Sequence, residues 1–274
     1  MIETSFHPLL PALEGAVSIY DRGTAQHSAR VAHMSAVLAT LWGLSDEETE
    51  AVSWAGMLHD VGKLGVTVHI LRKTGPLDES EWAEIHRHPV IGSDLILAIS
   101  PTLMPIAKAI RAHHERWNGC GYPDHLSRED IPLLGRIISI TDAFDSITHH
   151  RSYRKRAFSP AEALEMIGCE AGVQFAPDLV RTFTGAYEAG RIPTEGIGSA
   201  AMESSEPEAT LAGFRREALW TASKAKVGTC NSDIDGIRIR CSVSNKEIAM
   251  TSGDEGIRIV TPEDAGTERA DARK

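Results

Sequence analysis

The 274-residue sequence predicts an all-α helical bundle over residues 1–191, a linker over 192–210, and a small β-rich or partly disordered C-terminal extension over 211–274. Three observations predict it. Apolar residues recur at three- and four-residue steps through the first part, as a buried helical face requires. From residue 192 to 210 the chain is rich in Gly, Ser, Pro and Glu, the composition of a linker. Beyond it the apolar period falls to two, the spacing of strands.

Taken in order, Val31, Met34, Val37, Leu38 and Leu41 share one helical face, and Gly43 ends that run. Ser45 followed by Glu48 forms a capping box that opens the next helix, toward Trp54, Ala55 and Leu58. Asp78 with Glu81 does the same for residues 79–88. Pro101 and Pro105 precede a helical run through Ile106 and Ile110 to His114, and Pro132 precedes another from Leu133 through Ile138 to Ile147. Ser159-Pro160 opens residues 161–168, with proline in the first turn where its missing N–H costs little. In the extension, Ile237, Ile239 and Cys241 alternate with Arg238 and Arg240, and Ile257 and Ile259 flank Arg258. Asp235-Gly-Ile-Arg-Ile is echoed by Glu255-Gly-Ile-Arg-Ile, but two copies are too few for a repeat architecture. From about Pro262 the chain is charged and expected to be disordered.

Composition narrows the function classes. A hydrophobic content of 42% and a charged content of 24% are those of an ordinary globular protein. The net charge of -10 argues against gripping DNA or RNA, whose phosphates call for a basic surface. Cys120, Cys169, Cys230 and Cys241 lie far apart with no C-x-x-C pair, so neither a thiolate zinc site nor a disulfide framework is expected. Met1 to Leu13 is too short for a secretory signal and is broken by Pro8 and Pro11. The apolar stretches elsewhere are interrupted by charge before the ~20 residues a membrane helix needs. A cytoplasmic protein without a membrane segment is the expectation; oligomeric state leaves no trace in the sequence.

The histidines carry the chemistry. His27 lies four residues before Val31 on the apolar stripe, and His59 lies four after Ala55 with Asp60 beside it. His113 and His114 follow Ile110 by three and four residues, and Asp142 follows Ile138 by four. Titratable groups placed where apolar side chains belong are costly unless something compensates them. A lone histidine on such a face is more often a hydrogen-bonded core residue than a ligand. Here number and order outweigh that: His59-Asp60, then His88-Pro89, then His113-His114, then Asp142, each near a predicted helix end. A metal compensates all of them together, and imidazole with carboxylate suits Fe, Mn, Ni or Zn.

The segments HSARVAHMSAVLATLWGLS, LHDVGKLGV, HPVIGSDLI, HHERWNGCGYP and TDAFDSITHHRSYRK resemble the HD-GYP branch of the HD phosphohydrolase superfamily, in order from about residue 20 to 190 and including AGVQFAPDLV. The resemblance implies an HD-type helical bundle and hydrolysis of the bacterial second messenger cyclic di-GMP to linear pGpG or to GMP. It implies that His27, His59, Asp60 and Asp142 ligate one metal. It further implies that His88, His113 and His114 add a second, Asp60 bridging the two. Fe or Mn is expected, with Ni or Zn as alternatives. Two cations ~3.5–4 Å apart can hold a bridging hydroxide as nucleophile and neutralise the phosphate. Lys63, one turn after Asp60, is expected to touch the same phosphate, making Asp60 and Lys63 the catalytic pair. Arg151 and Arg154 match basic positions that would receive a second phosphate or the guanine edge.

Departures from the family pattern narrow the expectation. Some members bind a third metal through a Glu four residues before the first His; that position is Gly23, so two metals are expected. Asn118 replaces the usual Asp before Gly121-Tyr122-Pro123, a turn that the family also links to docking of diguanylate cyclase partners. Asp145 is expected to join the site or to orient a ligand. Two other readings stay open: a catalytically weak cyclic di-GMP-binding signalling protein, and an HD phosphohydrolase for another nucleotide. An O2-activating HD oxygenase shares some ligands, but Lys63 and the Gly-Tyr-Pro run weigh against it.

Overall fold

The computed structural model describes residues 12–13, 15–16, 24–73, 75–149 and 158–192, and as strands 237–240, 247–253 and 256–260. Gly23, Arg151, Arg154, Cys241, residues 193–210 of the expected linker and the stretch from Pro262 lie outside them. The helices are α1 (Thr24–Trp42), α2 (Asp46–Leu58), a 3-10 turn (Val61–Gly65), α3 (Val68–Leu71), α4 (Glu79–Ile85), α5 (His88–Ile99), α6 (Met104–Ala112), α7 (Leu133–Thr148), α8 (Pro160–Cys169) and α9 (Pro177–Glu188). Among the described residues no helix is long and apolar enough to cross a membrane.

Local chemistry sets the boundaries. Gly43 adopts φ 88°, which side chains resist, and the N–H groups of Gly43 and Leu44 bond the Thr40 and Ala39 carbonyls to finish α1. Both expected capping boxes are present: Ser45 with Glu48 opens α2, and Asp78 with Glu81 opens α4. Ser159 with Glu162 makes a third, ahead of Pro160 in the first turn of α8. Ser45→Ala is expected to lower unfolding free energy by about 1 kcal/mol, the usual worth of such a cap. A denaturant titration that shows no loss would contradict this.

One element differs from expectation. The helix expected over 79–88 ends at Ile85, and His88 begins a new one with Pro89 in its first turn. A proline cannot donate to the carbonyl four residues back, and its ring clashes with it, so α4 cannot run past Ile85 into Pro89.

The apolar faces meet in one core that includes Val31, Leu38, Val52, Ala55, Ile96, Ile110, Ile138, Phe144 and Phe183. Each fully buried Leu, Ile or Phe of this kind contributes about 1.5–3 kcal/mol of transfer free energy. α1 packs along α2 and α7, and α6 lies against α2, α5 and α7. Gly56 lets α1 and α2 approach closely: a Cβ there would stand 3.0 Å from Ala32 Cα. Ser35 and Thr141 share a 2.8 Å hydrogen bond that satisfies both hydroxyls where α1 meets α7.

The alternating segments are strands: β1 (Ile237–Arg240), β2 (Glu247–Gly253) and β3 (Gly256–Val260) form an antiparallel sheet in the order β1-β2-β3. Met250 pairs with Ile237 on one side and Ile259 on the other. β2 has no counterpart in the sequence reading. Its alternation is diluted by Ala249, Thr251 and Ser252, so the period-two signal is weak there.

Candidate metal centre

Helix ends build the site. His59 follows α2, His88 follows the end of α4, and His113 follows α6, so each stands where a helix has run out of N–H donors for its last carbonyls. Each imidazole takes up a carbonyl three residues back. Nδ1 of His59 bonds Gly56 O at 2.8 Å, that of His88 bonds Ile85 O at 2.8 Å, and that of His113 bonds Ile110 O at 2.6 Å. Pro89, four residues beyond Ile85, has no N–H to offer that carbonyl and so leaves it to His88. A carbonyl only accepts, so in all three rings Nδ1 holds a proton; Nε2 of His88 and His113 then presents a lone pair, and that of His59 does so once the ring gives up its second proton.

His27, near the start of α1, is fixed differently. Its Nδ1 lies 2.7 Å from Asp145 Oδ2, and Arg30 grips the same carboxylate through Nε (2.5 Å) and Nη2 (2.9 Å). Asp145 thus orients a candidate ligand, one of the two roles expected of it. Arg30 was not foreseen, although its position three residues after His27 on one helix is the signal that could have found it.

Nε2 of His59 and Nε2 of His88 both face Asp60. Asp60 Oδ2 lies 3.3 Å from His59 Nε2, and Oδ1 lies 3.5 Å from His88 Nε2. His27 Nε2 is 3.1 Å from Asp142 Oδ1, which is 3.9 Å from His59 Nε2. Donor atoms of His27, His59 and Asp60 fall within 4.8 Å of one another, as do those of His88, His113 and His114. All seven expected ligands therefore come together, in two groups with Asp60 between them. Lys63 Nζ is 3.0 Å from Asp60 Oδ2.

This donor set fits divalent metal. His88 Nε2 and His113 Nε2 face each other across 3.3 Å with both Nδ1 protons already committed to carbonyls. Two lone pairs opposed in a buried place repel unless a cation or a proton intervenes. Protons are not available near neutral pH. Burial, reinforced by the neighbouring His113 and only partly offset by Asp60, lowers the pKa of His88 to about 3. Burial and the charge on His59 lower that of His113 to about 4. Burial, with His113 and His88 nearby, holds His114 well below its usual value. For His59 burial also opposes the charge, but Asp60 and then Asp142 outweigh it and raise its pKa to about 9. Burial works against ionisation of Asp60 and Asp142 as well. Lys63 and His59 overcome it at Asp60, as His27 and His59 do at Asp142, and both stay well below the ordinary carboxylate range.

These shifts set the pH dependence of the metal-free protein. His88, His113 and His114 are neutral when folded and protonate near pH 6.5 when unfolded, so the unfolded state binds more protons below that pH. Stability is expected to fall as pH drops from about 6.5 toward 4, by up to ~1.4 kcal/mol per pH unit for each such histidine. His59 acts oppositely, its contribution being lost as pH rises toward about 9. Denaturation of the chelator-treated protein across pH 4.5–7.5 checks this. Stability that is flat or rises on acidification would contradict it.

Other features of the site left little trace in the sequence. Gly62 lets the turn carrying Asp60 rest directly on α5, since a Cβ there would lie 1.9 Å from His88 O. Glu115 is buried, and its carboxylate accepts from the N–H groups of Asp124 (2.7 Å) and Leu126 (3.1 Å). Asn118 Oδ1 accepts from Cys120 N at 3.0 Å, a turn bond that needs no charge and so fits Asn in place of Asp. Cys120 is disulfide-bonded while Cys169 is a free thiol.

With this geometry in hand, comparison with known proteins defines the class. A model of the HD domain family matches residues 11–179. The chain belongs to the HD domain family, and its His59-Asp60 and Gly121-Tyr122-Pro123 motifs are of the HD-GYP type. Among similar proteins is a 3'3'-cGAMP-specific phosphodiesterase 2 of Vibrio cholerae, 40% identical over 61% of this chain and 32% of that protein. The cyclic di-GMP phosphodiesterase response regulator RpfG of Xanthomonas campestris is 35% identical over 65% of this chain and 47% of its own length. A cyclic di-GMP phosphodiesterase of Thermotoga maritima is 34% identical over 60% and 44% respectively. The chain spans less than half the length of these relatives.

Proposed function

We propose that the chain is a metal-dependent phosphodiesterase that opens a cyclic dinucleotide, with cyclic di-GMP as substrate and linear pGpG, then GMP, as products. The observation that carries the reading is Asp60, whose two oxygens face the two histidine groups at 3.3 and 3.5 Å. His27, His59, Asp60 and Asp142 would hold one divalent ion, and His88, His113, His114 and Asp60 the other, Fe or Mn by preference and Ni or Zn as alternatives. When bound, the ions supply activation of water and Lewis-acid neutralisation of the phosphodiester. The protein's own groups do the rest. The carbonyl bonds at His59, His88 and His113 lock the tautomers, and Asp145 locks that of His27. Lys63, held beside Asp60, offers its ammonium to a non-bridging phosphate oxygen. Arg151 and Arg154 are assigned to the second phosphate or the guanine edge.

A second substrate, 3'3'-cGAMP, is favoured by one observation: relatives 39–40% identical bear that specificity in their names. The same metal chemistry serves both, since they differ in one purine. The reading of the Gly-Tyr-Pro loop as a docking site for cyclases gains nothing from the geometry, because Tyr122 turns toward the histidines. Parallel assays of the Mn- or Fe(II)-loaded chain with each dinucleotide test the function. Cyclic di-GMP should be turned over with higher kcat/KM. Preference for cGAMP would replace the substrate, and no turnover of either with both metals bound would overturn the enzymatic reading.

A further inference from the structure

His114 differs from the other histidines of the cluster. The rings of His27, His59, His88 and His113 each have Nδ1 tied to a carbonyl or carboxylate. Among the described residues, no hydrogen bond holds the His114 ring. What holds it is an aromatic stack. Tyr122 lies over His114 with ring centroids 4.8 Å apart and planes 26° apart, and His86 lies on Tyr122 at 4.2 Å and 25°. Trp82 of α4 continues the column, 5.3 Å from His86.

The loop is built to deliver that ring. Gly121 lies so close to the chain after His114 that a Cβ would stand 2.3 Å from Arg116 N and 2.5 Å from Glu115 Cα, so no larger residue fits. Tyr122 N–H bonds the carbonyl of His114 itself at 3.3 Å. The Glu115 carboxylate closes the far side through Asp124 N and Leu126 N. Arg111 on α6 fastens Asp124 from outside by two bonds of 2.6 and 2.7 Å. Each contact fixes where the phenol ring lies, and the ring in turn lies on a candidate ligand.

We infer that Tyr122 is a positioning residue: by stacking between His86 and His114 it holds the His114 imidazole in the orientation that completes the His88–His113–His114 site, with Glu115 clamping the loop that carries it. The inference rests on the two-metal reading above. It gives the Gly-Tyr-Pro segment a role within the chain, in ligand orientation, that requires no partner. A flat ring limits the swing of a neighbouring imidazole as a hydrogen bond would, and it does so without using either ring nitrogen.

The test compares Tyr122→Phe, Tyr122→Leu, His86→Ala and Glu115→Gln with the parent chain, measuring metal equivalents and the affinity of each by titration of chelator-treated protein. The Phe variant keeps the ring and should bind both metals as the parent does. The Leu variant should weaken one of the two by roughly 10- to 100-fold, as loss of a ligand's orienting partner does, while the other stays unchanged. His86→Ala, which removes the outer layer of the stack, should shift the same metal in the same direction by less. Glu115→Gln, with one acceptor where two are needed, should match it. Should Tyr122→Leu fail to fold by circular dichroism, His86→Ala decides alone. Unchanged affinities in Leu and Ala variants would overturn the inference. So would a Phe variant as impaired as Leu, since the hydroxyl and not the ring would then matter. A parent chain that binds fewer than two metals would instead refute the two-metal reading.

Discussion

Asp60→Ala is expected to reduce dinucleotide turnover by at least ~10³-fold while leaving the helical fold intact. The comparison that sets the scale is the ~10²–10³-fold lost when a single transition-state hydrogen-bond donor is removed. Asp60 does more than one donor can. One oxygen lies 3.3 Å from His59 Nε2 and 3.0 Å from Lys63 Nζ, and the other lies 3.5 Å from His88 Nε2. Its loss therefore removes a shared ligand from both groups and releases the lysine that would meet the phosphate. Steady-state rates at saturating metal, together with circular dichroism, check it. A folded variant that retains more than a tenth of the parent activity would show that Asp60 is not central.

Gly62→Ala is the second large effect, and it comes from geometry rather than charge. The added Cβ would meet His88 O at 1.9 Å, Gly92 N at 2.6 Å and His88 C at 2.8 Å, all backbone atoms that cannot rotate away. α5 must retreat, carrying His88 from His113 and Asp60. Overpacking of this kind costs about 1–3 kcal/mol, and a well-packed interior transmits the shift. The variant should show a lowered Tm and weakened binding of the metal assigned to His88, His113 and His114. Gly65→Ala is the control. Its Cβ would meet the Ile91 side chain at 2.9 Å, and a side chain can turn aside. If the two variants behave alike, close approach at Gly62 is not what sets His88 in place.

Much of this was legible in the sequence, for identifiable reasons. Capping boxes at Ser45 and Asp78 and the apolar steps from Val31 to Leu41 are local signals, and the helices follow them. His27, His59, His113, His114 and Asp142 stood out because each falls where an apolar side chain is expected, although Asp142 lies within α7 and not at its end. The structure adds why the ends matter: an exhausted helix leaves a carbonyl that fixes the imidazole tautomer. His88 shows the limit of periodicity. The helix expected over 79–88 breaks after Ile85, and the chemistry of Pro89, not the apolar period, decides the break. Gly62, Glu115 and Tyr122 were opaque as supports because their partners lie across the fold or depend on a loop conformation. A buried Glu115 reads like any surface glutamate until Asp124 and Leu126 are seen to donate to it. Tyr122 was noticed as part of a turn, but the turn's inward direction belongs to tertiary structure.

The central claim is one site for two metals, joined by Asp60 and completed by His88, His113 and His114. Metal content of the purified chain, reconstituted with Mn or Fe(II) under anaerobic conditions and measured with protein concentration, tests it most directly. Two equivalents per chain are predicted for the parent, falling below two in Asp60→Ala. A folded parent chain that saturates at one equivalent, or binds none, would contradict the account.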